Sequence, residues 1–181
     1  MLEEDSRLIQ ELKQGSKEAL RRVYEMHKDK LLTIAVSMVH DTATAEDILH
    51  DVFVSFASSV GRLNIQISLR RYLITSVVNR IRDTYRKKRP RMVDLDNVEL
   101  ADKHGDGPVR GAVSNETASI LTDALAQIPA EQREVIVLHL NGGLKFKEIA
   151  EMRGTSTSTI QGRYRYGLEK LRTIVDGEMI R

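Results

Sequence analysis

Apolar residues recur at three- and four-residue spacing along most of the chain, the periodicity of helices that bury one face. Leu8, Ile9 and Leu12 predict a short first helix closing near Gly15, and Ser16 is placed to cap a second. That second helix has apolar positions Leu20, Val23, Tyr24, Leu31, Ile34, Ala35 and Met38. After a break at Asp41-Thr42, the stretch Thr44-Ala-Glu-Asp47 predicts a capped start with an acidic first turn. The stripe Ile48, Leu49, Val52, Phe53, Phe56 and Val60 follows, and Glu46, Asp47, His50 and Asp51 fall on the opposite face. Ser58 to Ser68, with Gly61 and Asn64, reads as a loop. Leu69, Tyr72, Leu73, Val77 and Ile81 define a long helix that fades into Tyr85 and stops before Pro90.

Residues 91–115 lose this periodicity and hold Asp94, Asp96, Glu99, Asp102 and Asp106 among glycines and Pro108, a linker composition. So long a structureless stretch is foreign to one compact domain, which predicts two. Helical spacing returns at Ile120, Leu121, Leu125 and Ile128. Pro129 opens a further helix through Val135, Ile136, Leu138 and Leu140, ended by Gly142-Gly143. No strand alternation and no repeat occurs, so the expected fold is all-α, two small helical domains joined by a flexible linker.

Composition narrows the chemistry. With 181 residues, 41% hydrophobic and 30% charged, the chain can build packed cores. It has no cysteine, which excludes disulfides, thiolate metal sites and thiol catalysis. No apolar run is long enough to span a membrane, and the acidic N-terminus does not read as a signal peptide, so a cytoplasmic protein is expected. The net charge of +2 hides a strong segregation. Residues 62–91 carry ten Lys and Arg against one acid, Asp83, while 1–61 carry seven against eleven. A concentrated cationic stretch flanked by acidic ones predicts a polyanion-binding surface. A solvated helix face is the plainer reading of such a run, and nine net charges in thirty residues disfavour it.

The stretch Leu144 to Leu171 has the spacing of a helix-turn-helix. A short helix from Phe146 to Met152 contains Ala150, Gly154 suits the turn, and Ser156 caps a second helix from about Thr157 with Ile160 early in it. Such a second helix enters the major groove by its N-terminus. Ser158, Thr159, Gln161 and Arg165 are the candidates for base edges, and Arg163 for phosphate or for packing back on the domain. An ordinary helical hairpin is the alternative. Gly162 and Gly167 weaken this helix, either to admit close approach of DNA or because packing supports it.

Several motifs now stand in order on one chain. Ala45-Glu-Asp-Ile-Leu-His-Asp-Val-Phe53, Leu69-Arg-Arg-Tyr-Leu73 through Asn79 to Arg86, Leu125 to Pro129 and Glu148 to Arg163 together resemble the extracytoplasmic-function (ECF) group of bacterial RNA polymerase sigma factors, within the sigma-70 family. His50-Asp51 stands where that group has Gln-Glu, and Tyr72 where it has Trp. The resemblance implies a region 2-like domain at 1–90, a linker at 91–117 and a region 4-like domain at 118–181. It implies that Asp47, His50, Asp51 and Phe53 bind core polymerase, and that Arg70, Arg71, Asn79, Arg80, Arg82 and Arg86 serve the promoter −10 element. The loop from about Gly61 to Ser68 would help form a pocket for a flipped base. It further implies that Ser158, Thr159, Gln161, Arg163 and Arg165 serve the −35 element. Partners implied are core RNA polymerase, promoter DNA and an anti-sigma factor, with no membrane insertion. The acidic linker would thread toward the RNA-exit path or act as a solubilising tether.

No catalytic residue, metal or cofactor is expected. A stand-alone helix-turn-helix regulator is the rival, and it leaves the acidic and basic helices upstream without a purpose. A metal-dependent nuclease using Asp47 and Asp51 lacks a converging set of carboxylates.

Overall fold

The computed structural model describes residues 3–62, 67–88 and 115–179. Among these every regular element is helical, as the apolar spacing predicts. The chain divides into two compact units: one is Met1–Ala35 with Ala43–Arg89, the other Val36–Thr42 with Pro90–Arg181. The acidic linker residues Asp94 to Asp106 lie outside the described residues.

The first unit contains α1 (Glu3–Lys13), α2 (Lys17–Val39) as far as Ala35, α3 (Thr42–Ser59) from Ala43 onward, a 3-10 turn (Val60–Arg62) and α4 (Leu69–Lys88). Gly15, at φ 81, lets the chain leave α1, and Ser16 Oγ accepts the Ala19 N–H at 3.1 Å to start α2. Leu8, Val23, Leu31, Ile34, Phe56, Leu69, Leu73, Ile74 and Val77 are fully buried and form the core. The core stripe of α4 is wider than expected, since Ile74 and Val78 join it while Tyr72 stays half-buried against Phe56.

Two boundaries of this unit differ from expectation. Helix α3 starts at Thr42, not Thr44, because the chain leaves α2 at His40 in the left-handed region (φ 56) and only His40 and Asp41 separate the helices. Glu46 and Asp47 consequently lie past the first turn. The α3 helix also persists through Ser59 and continues as the 3-10 turn, because Val60 is buried and the turn packs on α1.

The second unit contains α5 (Asn115–Ala126), α6 (Ala130–Leu140), α7 (Phe146–Arg153) and α8 (Thr157–Met179). Leu125, Ile128 and Ile136 form a core against which Tyr164, Leu168, Leu171 and Ile174 of α8 pack. That stripe carries α8 well past Leu171, where the sequence pattern ended it. Arg133 is buried and donates to the carbonyls of Leu125 and Ala126, both at 3.3 Å, so a cation closes the C-terminus of α5. Gly142 has no room for a side chain, because a Cβ there would lie 2.3 Å from the Leu138 carbonyl oxygen.

Candidate nucleic-acid and partner-binding surfaces

On α3 the polar face forms as expected: Glu46, Asp47, His50 and Asp51 are all exposed. Asp51 is not an isolated carboxylate. The Arg80 guanidinium of α4 donates to its Oδ2 through Nε at 3.1 Å and again through Nη2. Among the polymerase candidates Phe53 is the buried one, at 7% exposure with its ring edge-on to Tyr24, centroids 4.9 Å apart. The apolar spacing that puts Phe53 on the core stripe outweighs its place in the motif. Its remaining surface forms the floor of a groove of about 670 Å³ between α2 and α3. Leu20, Tyr24, Leu49 and Val54 line the groove, with Lys17, Lys28, Glu46 and His50 also facing it. Tyr24 and Val54 are 38% and 51% exposed, so this face presents apolar surface beside its charges. In the sequence Tyr24 belongs to the apolar stripe of α2 and gives no sign of a surface role, because a tyrosine at that spacing reads as packing.

The start of α4 is held from two directions. Ser68 Oγ accepts the Arg71 N–H at 3.3 Å, and Asp5 Oδ2, from α1, accepts the buried Leu69 N–H at 3.1 Å. At about 100° per residue, Arg71, Asn79, Arg82 and Arg86 share one stripe spanning about 80° of the helix surface. Asn79 and Arg86 are exposed and Arg71 and Arg82 half-buried, and Arg86 also pairs with Asp83 at 3.0 Å. The other two basic candidates leave this stripe. Arg80 turns to Asp51 on α3. Arg70 lies on the side of α4 that buries Leu69, Leu73 and Ile74, near His27 of α2. Burial holds the His27 imidazole below its ordinary pKa, with Asp5 opposing and Arg70 reinforcing the shift, and its buried Nε2 has no hydrogen-bond partner. Of the loop before α4, residues 63–66 lie outside the described residues, and with them part of the expected base pocket.

In the second unit, Glu148 accepts the Lys145 N–H at 2.8 Å to open α7. Gly154, at φ 61 and ψ 34, makes the left-handed turn after it. Ser156 Oγ then accepts the Thr159 N–H at 3.0 Å and lies 2.8 Å from the hydroxyls of both Ser158 and Thr159. His139 stacks on Phe146 at 4.3 Å and accepts Tyr164 edge-on at 5.0 Å, which ties α6, α7 and α8 together. Ile149 and Ile160 are fully buried where the helices of the motif cross. Ser158, Gln161 and Arg165 are exposed and fall within about 60° on one face of α8. Thr159, also exposed, lies about 100° round the helix from Ser158 and so falls off that face. Arg163 packs back: it pairs with Glu131 of α6 and is only 26% exposed, so of its two expected roles the structure shows the packing one. Arg165 lies over the Tyr166 ring, 4.9 Å from its centroid, and donates to the Tyr166 hydroxyl at 3.2 Å.

The two glycines of α8 also separate. A Cβ at Gly162 would meet nothing within 4 Å, whereas one at Gly167 would lie 2.8 Å from Ile136 Cδ1 and 3.0 Å from Gln132 Cβ. Gly167 therefore admits close packing of α8 on α6, and Gly162 leaves the exposed face open. Among the described residues no group of three or more metal-ligating side chains converges, and no helix is long and apolar enough to cross a membrane.

Two family models match: Sigma-70 region 2 over residues 23–91 and Sigma-70, region 4 over residues 118–171. The chain is 29% identical to the RNA polymerase sigma factor CarQ of Myxococcus xanthus over 174 residues, covering 94% of this chain and 97% of that protein. It is 27% identical to the ECF RNA polymerase sigma factor SigW of Bacillus subtilis, covering 91% and 92%. The fold is shared with CnrH, solved in complex with the cytosolic domain of CnrY, at TM-score 0.68, 21% identity and coverage of 96% and 97%. It is also shared with RpoE of Bartonella quintana, solved with the anti-sigma factor NepR, at TM-score 0.64, 19% identity and coverage of 88% and 96%.

Proposed function

The chain belongs to the sigma-70 family of RNA polymerase sigma factors, in its ECF group, and from that premise we propose how its surfaces divide the work. The polar face of α3 with the adjoining α2–α3 groove binds core polymerase. Glu46, Asp47, His50 and Asp51 supply hydrogen bonds and negative charge for cations on the partner, and Tyr24, Val54 and the edge of Phe53 supply apolar area. The stripe Arg71, Asn79, Arg82 and Arg86 engages the −10 element, where phosphate neutralisation supplies affinity and the exposed Asn79 amide can read a base edge. Ser158, Gln161 and Arg165 reach the −35 element from the N-terminal half of α8, and Thr159, turned about 100° from Ser158, contacts the adjoining backbone. Arg163, bound to Glu131, steadies the helix instead of contacting DNA. Arg80 links the polymerase-facing helix to the DNA-facing one.

The protein adds no catalysis of its own. It brings two weak DNA contacts onto the polymerase, where tethering raises the effective concentration of each. Residues 1–90 form the region 2-like domain and 118–181 the region 4-like domain. An anti-sigma partner, as in the solved RpoE relative, would hold the protein inactive by covering these same polymerase- and DNA-facing surfaces.

The observation that carries this reading is the segregation of the cationic stripe of α4 from the anionic face of α3 within one unit of region 2 fold. The deciding experiment is capture of purified bacterial core RNA polymerase by the wild type, Asp47→Arg and Asp51→Arg. Asp51→Arg also places a cation beside Arg80, so Asp47→Arg separates loss of the face from loss of the ion pair. Both variants are expected to lose binding while keeping the helical signal. Normal binding by both would move the polymerase site elsewhere. A folded wild type that binds operator DNA tightly and polymerase not at all would instead be a stand-alone regulator.

A further inference from the structure

Helix α4 has a local cap, Ser68 Oγ on the Arg71 N–H at 3.3 Å, but that cap leaves two needs of its first turn unmet. Its first turn holds Arg70 and Arg71 and no acidic residue, so two cations stand at the positive end of the helix dipole. Its first N–H, on Leu69, is buried, where water cannot satisfy it. Asp5 answers both problems from a distance of 64 residues along the chain, accepting that N–H at 3.1 Å. Asp5 is itself only 8% exposed, and it is one of two buried polar or charged residues among those described. Its own helix is fixed by Leu8, Ile9 and Leu12, all buried, and α1 also packs on the Val60–Arg62 turn. A single short helix thus grips both described flanks of the segment that joins α3 to α4. The Sigma-70 region 2 match begins only at Val23, so α1 stands outside the matched segment.

We propose that Asp5 is a positioning residue for promoter opening: by fixing the first turn of α4 it sets the register in which Arg71, Asn79, Arg82 and Arg86 meet the −10 element. The proposal rests on the sigma-factor reading. Asp5 touches no DNA, and it acts through the Leu69 N–H. Without that acceptor the Leu69 N–H is left buried and unsatisfied, and Ser68 alone holds the first turn that bears Arg71. Because Arg86 lies about 25 Å along the axis from Leu69, a tilt of about 10° there displaces it by about 4 Å. Polymerase binding, assigned to α3 and α2, does not depend on this cap.

The test uses the full chain with core RNA polymerase and a promoter duplex selected by the wild-type holoenzyme from a pool randomised at both elements. Strand opening is read by a fluorescent base analogue in the −10 element, and core binding by titration. Asp5→Ala is expected to slow opening roughly five- to tenfold, the scale of a lost helix cap, with core affinity unchanged. Asp5→Asn keeps an acceptor at the same reach and is expected to restore opening to within about twofold of wild type. Asp5→Glu keeps the charge but overreaches, and is expected to resemble Asp5→Ala. A merely structural role would lower thermal stability in Asp5→Ala without slowing opening per folded molecule, and that result overturns the proposal. Equal loss of core binding and opening overturns it too, since the defect would then be general to the unit. If Asp5→Ala does not fold, wild-type opening by Asp5→Glu is decisive against it. A wild type that fails to bind core polymerase would sink the sigma-factor reading itself, a distinguishable outcome.

Discussion

Single residues carry sharp consequences where a side chain meets a helix surface. Gly167 faces Ile136 and Gln132 of α6, so Gly167→Ala overpacks that contact by more than its helix propensity returns. A net loss of about 1 kcal/mol is expected in urea unfolding of the second unit. Gly162 has open space, and Gly162→Ala is expected to stabilise the same transition by up to about 1 kcal/mol. If it also weakens −35 binding, the missing side chain serves the DNA face. The glycines were visible in the sequence, but which one packs and which one faces outward depends on where α6 lies, and no local pattern encodes that. His27 supplies a pH test. Its imidazole, held below its usual value chiefly by burial, binds a proton more readily in the unfolded chain than in the folded one. Its contribution to stability is therefore full above about pH 6.5 and lost as pH falls through the folded value. The urea midpoint of the first unit should drop between pH 7.5 and 5.5, and His27→Gln should flatten that drop. Equal drops in both proteins would assign it to other groups.

At the scale of elements, helix existence was legible and helix faces only partly so. The three-and-four spacing located every described helix, since burial of one stripe decides whether a segment is helical. Boundaries slipped where tertiary contacts overrode local signals, as at Thr42 and along α8 beyond Leu171. The candidate site is legible as a set of helices more than as a set of side chains. The basic residues of α4 looked equivalent in sequence, yet Arg80 is drawn to Asp51 by a helix met only in three dimensions, and Arg70 sits over the core side beside His27. This division can be measured. Arg82→Ala with Arg86→Ala is expected to lower the slope of log binding against log salt by about 2 in holoenzyme–promoter titrations, whereas Arg80→Ala leaves it unchanged. A double-mutant cycle between Asp51 and Arg80 is expected to give about 0.5 kcal/mol in stability, the usual worth of a pair as exposed as this one. An unchanged slope in the first variant would remove the stripe from the DNA interface.

For the molecule as a whole, the consequence of two units with separate cores is that stability and function separate. Each unit buries its own apolar set, Phe56 with Leu73 in one and Ile128 with Ile136 in the other. Calorimetry is accordingly expected to resolve two transitions, with Gly167→Ala lowering only that of the second unit. Promoter engagement, by contrast, is expected to need both units on one chain. On the proposed division of surfaces the α8 face would offer few base-directed side chains and the α4 stripe would gain its hold mainly from phosphates, so neither contact is expected to be tight alone. Joined to one polymerase, each raises the local concentration of the other to the order of millimolar. Cutting the chain within 91–114 should leave both transitions in place. Transcription from a two-element promoter should nonetheless fall by about a hundredfold at nanomolar protein, and recover as the second fragment is raised in concentration. Full activity of the cut protein at nanomolar concentration would mean that the two units hold together without the covalent tether.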